Sequence, residues 1–246
     1  MASKDENLKA KRRKQIIDAT IAAIYRRGIG DMRLADVARA AGVSYGVVSF
    51  YFKSKDALLM ATMNHVALEY ATALQAAADA VTATPMERLL AVASVNFDAR
   101  IAIPQKTAVW VAIWSECQVT PAFRKRCCEL QDDYVRIAEP LCREIIAAGG
   151  YKTMNAHEIA QALCVLMSGL DIEMHLRGRR YSVADARRTV HALLSGMFPV
   201  EFAAAMGRVS PNGAKAGTGR PARAVRRPSL APATRRVRPV AKRQAH

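Results

Sequence analysis

The chain has 246 residues, of which 51% are hydrophobic and only 6% aromatic, with 13 glycines and 10 prolines. This composition suits helices packed through Ala, Leu, Ile and Val, and it excludes an all-β chain, which needs turn residues throughout. The formal net charge of +16 sits at the two ends: residues 1–60 carry 12 Lys/Arg against 6 Asp/Glu, residues 61–207 carry 14 against 15, and residues 208–246 carry 11 against none. Basic ends around a near-neutral middle imply a polyanionic partner, either nucleic acid or an anionic membrane surface.

In chain order, Lys11 to Arg27 predicts an amphipathic helix, with Ile16, Ile17, Thr20, Ile21 and Ile24 at three-to-four spacing and Gly28 and Gly30 ending it. A second helix is expected over Leu34–Ala41. Gly42 then supplies the permissive backbone of a tight turn, and Ser44 is placed to cap a third helix, Tyr45–Tyr51. Two short helices joined through a Gly turn, with the second free to enter a major groove, form a helix-turn-helix. Further helices are expected from Ser54 to Ala80, Pro85 to Ile101, Thr107 to Glu116, Pro121 to Gly149, Asn155 to Gly178, and Ser182 to Phe198, where Pro199 interrupts. The expected organisation is a DNA-binding domain over 9–60, a helical domain over 61–205, and a basic tail over 206–246. The tail has five prolines and no aromatic residue, so it cannot bury enough apolar surface to offset its ordering entropy and is expected to be disordered.

No uninterrupted apolar run reaches membrane-spanning length, and the charged N-terminus shows no apolar secretory segment. Neither a membrane partner nor secretion is therefore expected. The five cysteines form no CxxC pair, and the adjacent Cys127 and Cys128 suit neither an ordinary disulfide nor a zinc site, which fits a reducing cytoplasm. The histidines show no metal-ligand spacing, and no phosphate-binding, nucleophile-elbow or zincin motif occurs. No metal, cofactor or enzymatic activity is expected.

The run Asp36-Val37-Ala38-Arg39-Ala40-Ala41-Gly42-Val43-Ser44, with Val48, Tyr51-Phe52, Lys55 and Ala57-Leu58-Leu59, closely resembles the TetR family of bacterial repressors over about residues 10–63. The resemblance implies an all-α homodimer, each subunit having an N-terminal helix-turn-helix domain for double-stranded operator DNA and a C-terminal domain for ligand binding and dimerisation. Carried onto this sequence, it assigns base reading to Tyr45, Gly46, Ser49 and Phe50 on the helix that Ser44 opens, and backbone contacts to Arg33, Tyr51 and Lys55. Arg33 stands where family members usually have Thr or Ser. It can reach a phosphate but cannot cap the second helix in the same way. The helices over 156–177 and 182–198 are expected to form the dimer's four-helix interface.

Within that family, Asn96-Phe97-Asp98, the run Ala108–Trp114 and Leu166-x-Ser168-Gly169-Leu170 resemble the choline-responsive BetI type, which represses glycine-betaine synthesis. This implies a small-molecule effector, choline or another quaternary ammonium. Such a cation is held by an aromatic box, often helped by an acid. Trp110 and Trp114, at i and i+4, share a helix face; Phe97 and Tyr134 are further candidate walls and Asp171 the candidate acid. BetI-type chains usually carry Asp at the position of Ser168 and Trp at that of Asp171. The alternatives are a TetR-like regulator of a different effector, with the tryptophans as plain core and Asp171 paired to Arg or His175 at the dimer interface, and a sequence-independent architectural DNA binder working through its basic ends.

Overall fold

The computed structural model describes residues 4–80, 83–101 and 103–209, all helix, turn or coil without a strand among them. The helices are α1 (Lys4–Arg27), α2 (Leu34–Ala40), α3 (Tyr45–Tyr51), α4 (Lys55–Ala78), α5 (Pro85–Ser94), α6 (Pro104–Glu116), α7 (Pro121–Gly149), α8 (Ala156–Arg177), α9 (Val183–Met197) and α10 (Pro199–Val209). Their starts follow local chemistry. Ser44, Ser54, Thr84, Asn155 and Ser182 each accept a backbone N–H at an N-cap, and proline opens α5, α6 and α7. Gly150, at φ +68°, closes α7 in the left-handed region.

Several expectations need correction. α1 begins at Lys4 rather than Lys11, its first turn supported by Asp5, Glu6 and a Lys9–Asp5 ion pair one turn apart. α5 stops at Ser94, and a 3-10 turn takes over at Val95–Phe97 instead of helix to Ile101. All three residues of that turn are buried, so packing has overridden helical periodicity. α6 opens at Pro104, before the expected Thr107. Pro199 ends α9 as expected but also starts α10, where its fixed φ and missing N–H cost nothing. Helix thus occupies 206–209, the first residues assigned to a disordered tail. The tail expectation for 210–246 lies outside the described residues.

Two apolar clusters hold the molecule. One gathers Leu74, Leu89, Val92, Leu141, Leu163, Met167, Leu194 and Phe198 from α4, α5, α7, α8, α9 and its end. The other gathers Ile16, Ile17, Val37, Val48, Phe52 and Leu58 from α1–α4, and it is completed by Val109 and Ile113 of α6 and Phe123 of α7. The helix-turn-helix unit therefore borrows part of its core from downstream helices. α4 contributes to both clusters, so residue 60 falls inside a continuous helix.

α8 has the length and composition of a membrane-crossing helix. One side packs into the first of these clusters through Ile159, Leu163, Met167 and Leu170, while Val165 and Leu176 on its outer side are 70% and 74% exposed.

The turn between α2 and α3 is pinned at several points. Gly42 sits at φ +62°, the Val43 N–H donates to the Ala38 carbonyl at 3.0 Å, and Gln15 of α1 donates to the Ala41 carbonyl at 2.5 Å. A Cβ at position 42 meets no neighbouring atom, so the cost of substitution is backbone strain alone. We expect Gly42→Ala to lower stability by about 1–2 kcal/mol, the penalty of a left-handed L-residue, read as a shift of the urea midpoint. An unchanged midpoint would show that the turn does not depend on that conformation.

Candidate functional site

α3 presents a half-exposed face. Val48 is buried and holds the helix to the core, whereas Tyr45 and Phe50 are 57% and 66% exposed, Gly46 is exposed, and Ser49 and Tyr51 are half-buried. The Phe50 and Tyr51 rings meet edge to face at 5.3 Å. Tyr45, Gly46, Ser49 and Phe50 thus fall together on the outward surface of the seven-residue helix. Ser44 is committed to capping it, its hydroxyl accepting from the Val47 N–H at 3.3 Å.

Arg33 is exposed at the N-cap of α2 and makes no side-chain capping bond, which leaves its guanidinium available to an anion. Lys55 differs from expectation in its surroundings. Its ammonium donates to the carbonyls of Ile29 and Gly30 at 2.6 and 3.3 Å, tying α4 to the end of α1. Those two bonds leave one ammonium proton for a phosphate.

Sequence reasoning missed three cations beside α3. Lys9 and Arg12 of α1 line a shallow groove with Ser44, Gly46 and Phe50, and exposed Lys53 lies 5.9 Å from the Phe50 ring centroid. The basic run was visible in the sequence. Its register against α3 required the fold.

The second feature is a cavity of about 100 Å³ between α4, α6, α7 and α8. Trp110 and Trp114 of α6, Tyr134 of α7 and Asp171 of α8 all line it, so four of the five proposed ligand residues converge. Phe97 does not. It is buried in the neighbouring core, because the 3-10 turn sends Asn96 towards the cavity and Phe97 away from it. Asn96 and Tyr70 are cavity residues that the sequence reading did not single out as a site.

These groups form one polar relay in a mostly apolar space, whose lining also includes Thr107, Gln131, Asp133 and Ser168. The Tyr70 hydroxyl donates to Asn96 Oδ1 at 2.7 Å, and Asn96 Nδ2 donates to Asp171 Oδ2 at 2.9 Å. Burial pushes the Asp171 carboxyl up to about 6, and the Asn96 bond only partly offsets this. No ion pair to Asp171 exists among the described residues, His175 included; inside the chain its partner is Asn96. Burial likewise raises the Tyr70 and Tyr134 hydroxyls above the usual phenol range. The Tyr134 hydroxyl is buried with no hydrogen-bond partner. No cluster of three or more His, Cys, Asp or Glu is placed to hold a metal among the described residues.

An exposed recognition helix on a basic unit, joined to a helical body with a central cavity, defines a ligand-responsive transcriptional regulator of the TetR class. Residues 16–62 match the model of bacterial regulatory proteins of the tetR family, and residues 85–199 match that of the BetI-type transcriptional repressor C-terminal part. The chain belongs to the TetR family and, within it, to the BetI-type repressors, which are regulators rather than enzymes.

It is 35% identical over 181 residues to the HTH-type transcriptional regulator BetI of Paraburkholderia xenovorans, covering 73% of this chain and 90% of that one. It is 38% identical over 178 residues to BetI of Burkholderia thailandensis, covering 71% and 87%. Among solved structures, a transcriptional regulator of Pseudomonas aeruginosa superposes with a TM-score of 0.70 at 23% identity, covering 80% of this chain and 94% of that one. A regulator of Saccharomonospora viridis in complex with choline superposes at 0.68 and 23% identity, covering 76% and 96%.

Two outcomes follow from this geometry. Tyr45→Ala should relax sequence choice more than bulk affinity, seen as a smaller ratio of operator to random-DNA affinity; equal weakening on both would count against base reading by Tyr45. For Asp171 the native carboxyl binds its proton more tightly than the unfolded one. Stability therefore falls as pH rises through about 4 to 6, then levels. The stability of Asp171→Asn relative to the parent should rise across that window by about 1–3 kcal/mol in urea titrations. A pH-independent difference would mean that the carboxyl titrates normally.

Proposed function

We propose that this chain represses transcription by placing α3 in the major groove of operator DNA, and that a quaternary ammonium of the choline type, held in the cavity, sets its DNA affinity. The observation that carries this reading is the Asp171 carboxylate, half-buried without a cation in a cavity that also holds two tryptophans and two tyrosines. A buried carboxylate without a counter-ion is costly. A methylated ammonium offsets that cost, and its diffuse charge suits the faces of aromatic rings. The choline bound by the Saccharomonospora viridis regulator supports the ligand class. Tyr134, with a buried and unpartnered hydroxyl, is the group placed to bond a ligand oxygen.

The DNA contacts proposed are Tyr45, Gly46, Ser49 and Phe50 to bases, with Arg33, Ser44, Tyr51 and Lys55 at the backbone and Lys9, Arg12 and Lys53 beside them. A homodimer is part of this reading. The exposed apolar side of α8 at Val165 and Leu176 needs cover, and pairing α8 and α9 with a second copy supplies it. Two recognition helices would then meet successive major grooves about 34–36 Å apart.

The ligand acts through differential affinity for two arrangements of the helix-turn-helix. Trp110 and Trp114 line the cavity, while Val109 and Ile113 of the same helix pack in the N-terminal core, so a shift of α6 is felt at both.

The test is calorimetry with choline and with its neutral isostere 3,3-dimethylbutan-1-ol at pH 8. Choline should bind at least about tenfold more tightly, and Asp171→Asn should reduce that preference severalfold, leaving the part owed to the aromatic rings. The affinity for choline should also fall as pH drops through about 6, where Asp171 takes up its proton. Equal binding of the charged and neutral ligands would overturn the assignment.

A further inference from the structure

The two cysteines that neither the DNA surface nor the cation box explains lie together. Cys117 caps the C-terminus of α6, Cys127 stands on the second turn of α7, and their Sγ atoms are 3.3 Å apart. They are ten residues apart in sequence, across the short turn that joins the two helices. Arg124 holds that turn closed, donating through Nε to the Cys117 carbonyl at 3.0 Å and through a terminal nitrogen to the Gln118 carbonyl at 3.1 Å.

We propose that Cys117 and Cys127 form a reversible dithiol–disulfide site, oxidised by hydrogen peroxide or a small disulfide, that staples α6 to α7. The sulfurs approach closely enough that a disulfide needs a side-chain movement of about 1.3 Å rather than a rearrangement of helices. Both thiols are half-buried rather than fully enclosed, and Cys127 lines the cavity with Trp114.

Burial and the neighbouring Cys117 push the Cys127 thiol up to about 12, which keeps it protonated. Attack starts from whichever sulfur ionises first, and the other resolves it. With peroxide, that thiolate takes one oxygen, breaking the O–O bond to give a sulfenic acid and hydroxide, which takes up a proton as water. The second sulfur then displaces the sulfenic oxygen as a second water, so two thiols and one peroxide become one disulfide and two waters. Dithiothreitol or a cellular dithiol reverses the change by thiol–disulfide exchange.

The position gives the bond a consequence. Cys117 and Cys127 pack against the N-terminal core, which Val109 and Ile113 of α6 complete, and Cys127 faces the cavity on its other side. A bond here fixes the end of α6 to α7 at the joint between cavity and helix-turn-helix. Oxidation therefore makes DNA binding unresponsive to whatever occupies the cavity.

The test uses the full chain. Reduced protein treated with a few equivalents of hydrogen peroxide should fall from five titratable thiols to three under denaturing conditions. Non-reducing peptide mapping should link the peptides carrying Cys117 and Cys127, dithiothreitol should restore both thiols, and the link should form in Cys128→Ser but not in Cys117→Ser. Loss of thiol confined to exposed Cys128, or a Cys128–Cys128 link between chains, would overturn the proposal. These readouts do not depend on the effector, so they stand or fall apart from the cation reading. As a functional measure, choline at saturation should shift the operator affinity of the reduced protein at least about threefold more than that of the oxidised protein; equal responses would show that the bond does not restrain α6.

Discussion

The structure turns on one half-buried charge. Asp171 places a carboxylate at a mostly apolar cavity where the protein offers it a single neutral hydrogen bond, from Asn96, and no cation. Burial alone favours the protonated acid, as the raised pKa shows. At neutral pH the group is therefore held ionised at a cost that the chain does not offset, and a ligand cation gains what the fold leaves unsatisfied. The geometry around it follows from this. The 3-10 turn at Val95–Phe97 brings Asn96 to the carboxylate, Tyr70 holds the far end of the amide, and the α6 tryptophans supply ring faces for a cation that water would otherwise retain.

The second constraint is that α6 serves two cores. Its i, i+4 pair Trp110 and Trp114 meets the cavity, while the offset pair Val109 and Ile113, both fully buried, completes the packing of α1–α4. Close-packed interiors do not deform continuously, so a ligand that moves α6 favours one of a few discrete arrangements of the N-terminal unit. α4 adds a parallel link, since it carries Leu58 and Leu59 in one core and Leu74 in the other, with Tyr70 between them on the relay to Asp171. The thiol pair at the end of α6 sits on the same joint, where a covalent bond has the greatest leverage.

Much of this was legible from local chemistry. Gly42 and Ser44 located α3 to the residue, because a left-handed turn and a hydroxyl cap are decided by a few neighbouring atoms. The tryptophan spacing and the lone acid on an apolar stripe likewise identified groups that share a cavity. What stayed hidden depended on distant packing. Asn96 and Phe97 are neighbours in a motif, yet a 3-10 turn that helical periodicity did not anticipate sends one to the cavity and the other to the core. Lys55 carried a charge that suited a phosphate, but only the fold shows the Ile29 and Gly30 carbonyls that hold it. Cys117 and Cys127 form no short-spaced motif in the sequence and meet only because the chain reverses between α6 and α7. Pro199 both ends α9 and opens α10, because a proline that cannot continue one helix fits the first turn of the next.

The most direct test is the titration of the Asp171 side-chain carboxyl by carbon-13 NMR, with the cavity empty and with choline at saturation. The account requires a midpoint near 6 in the empty protein and a fall of at least about one unit when the ammonium is bound. An ordinary carboxyl midpoint in the empty protein, or one that choline leaves in place, would contradict it.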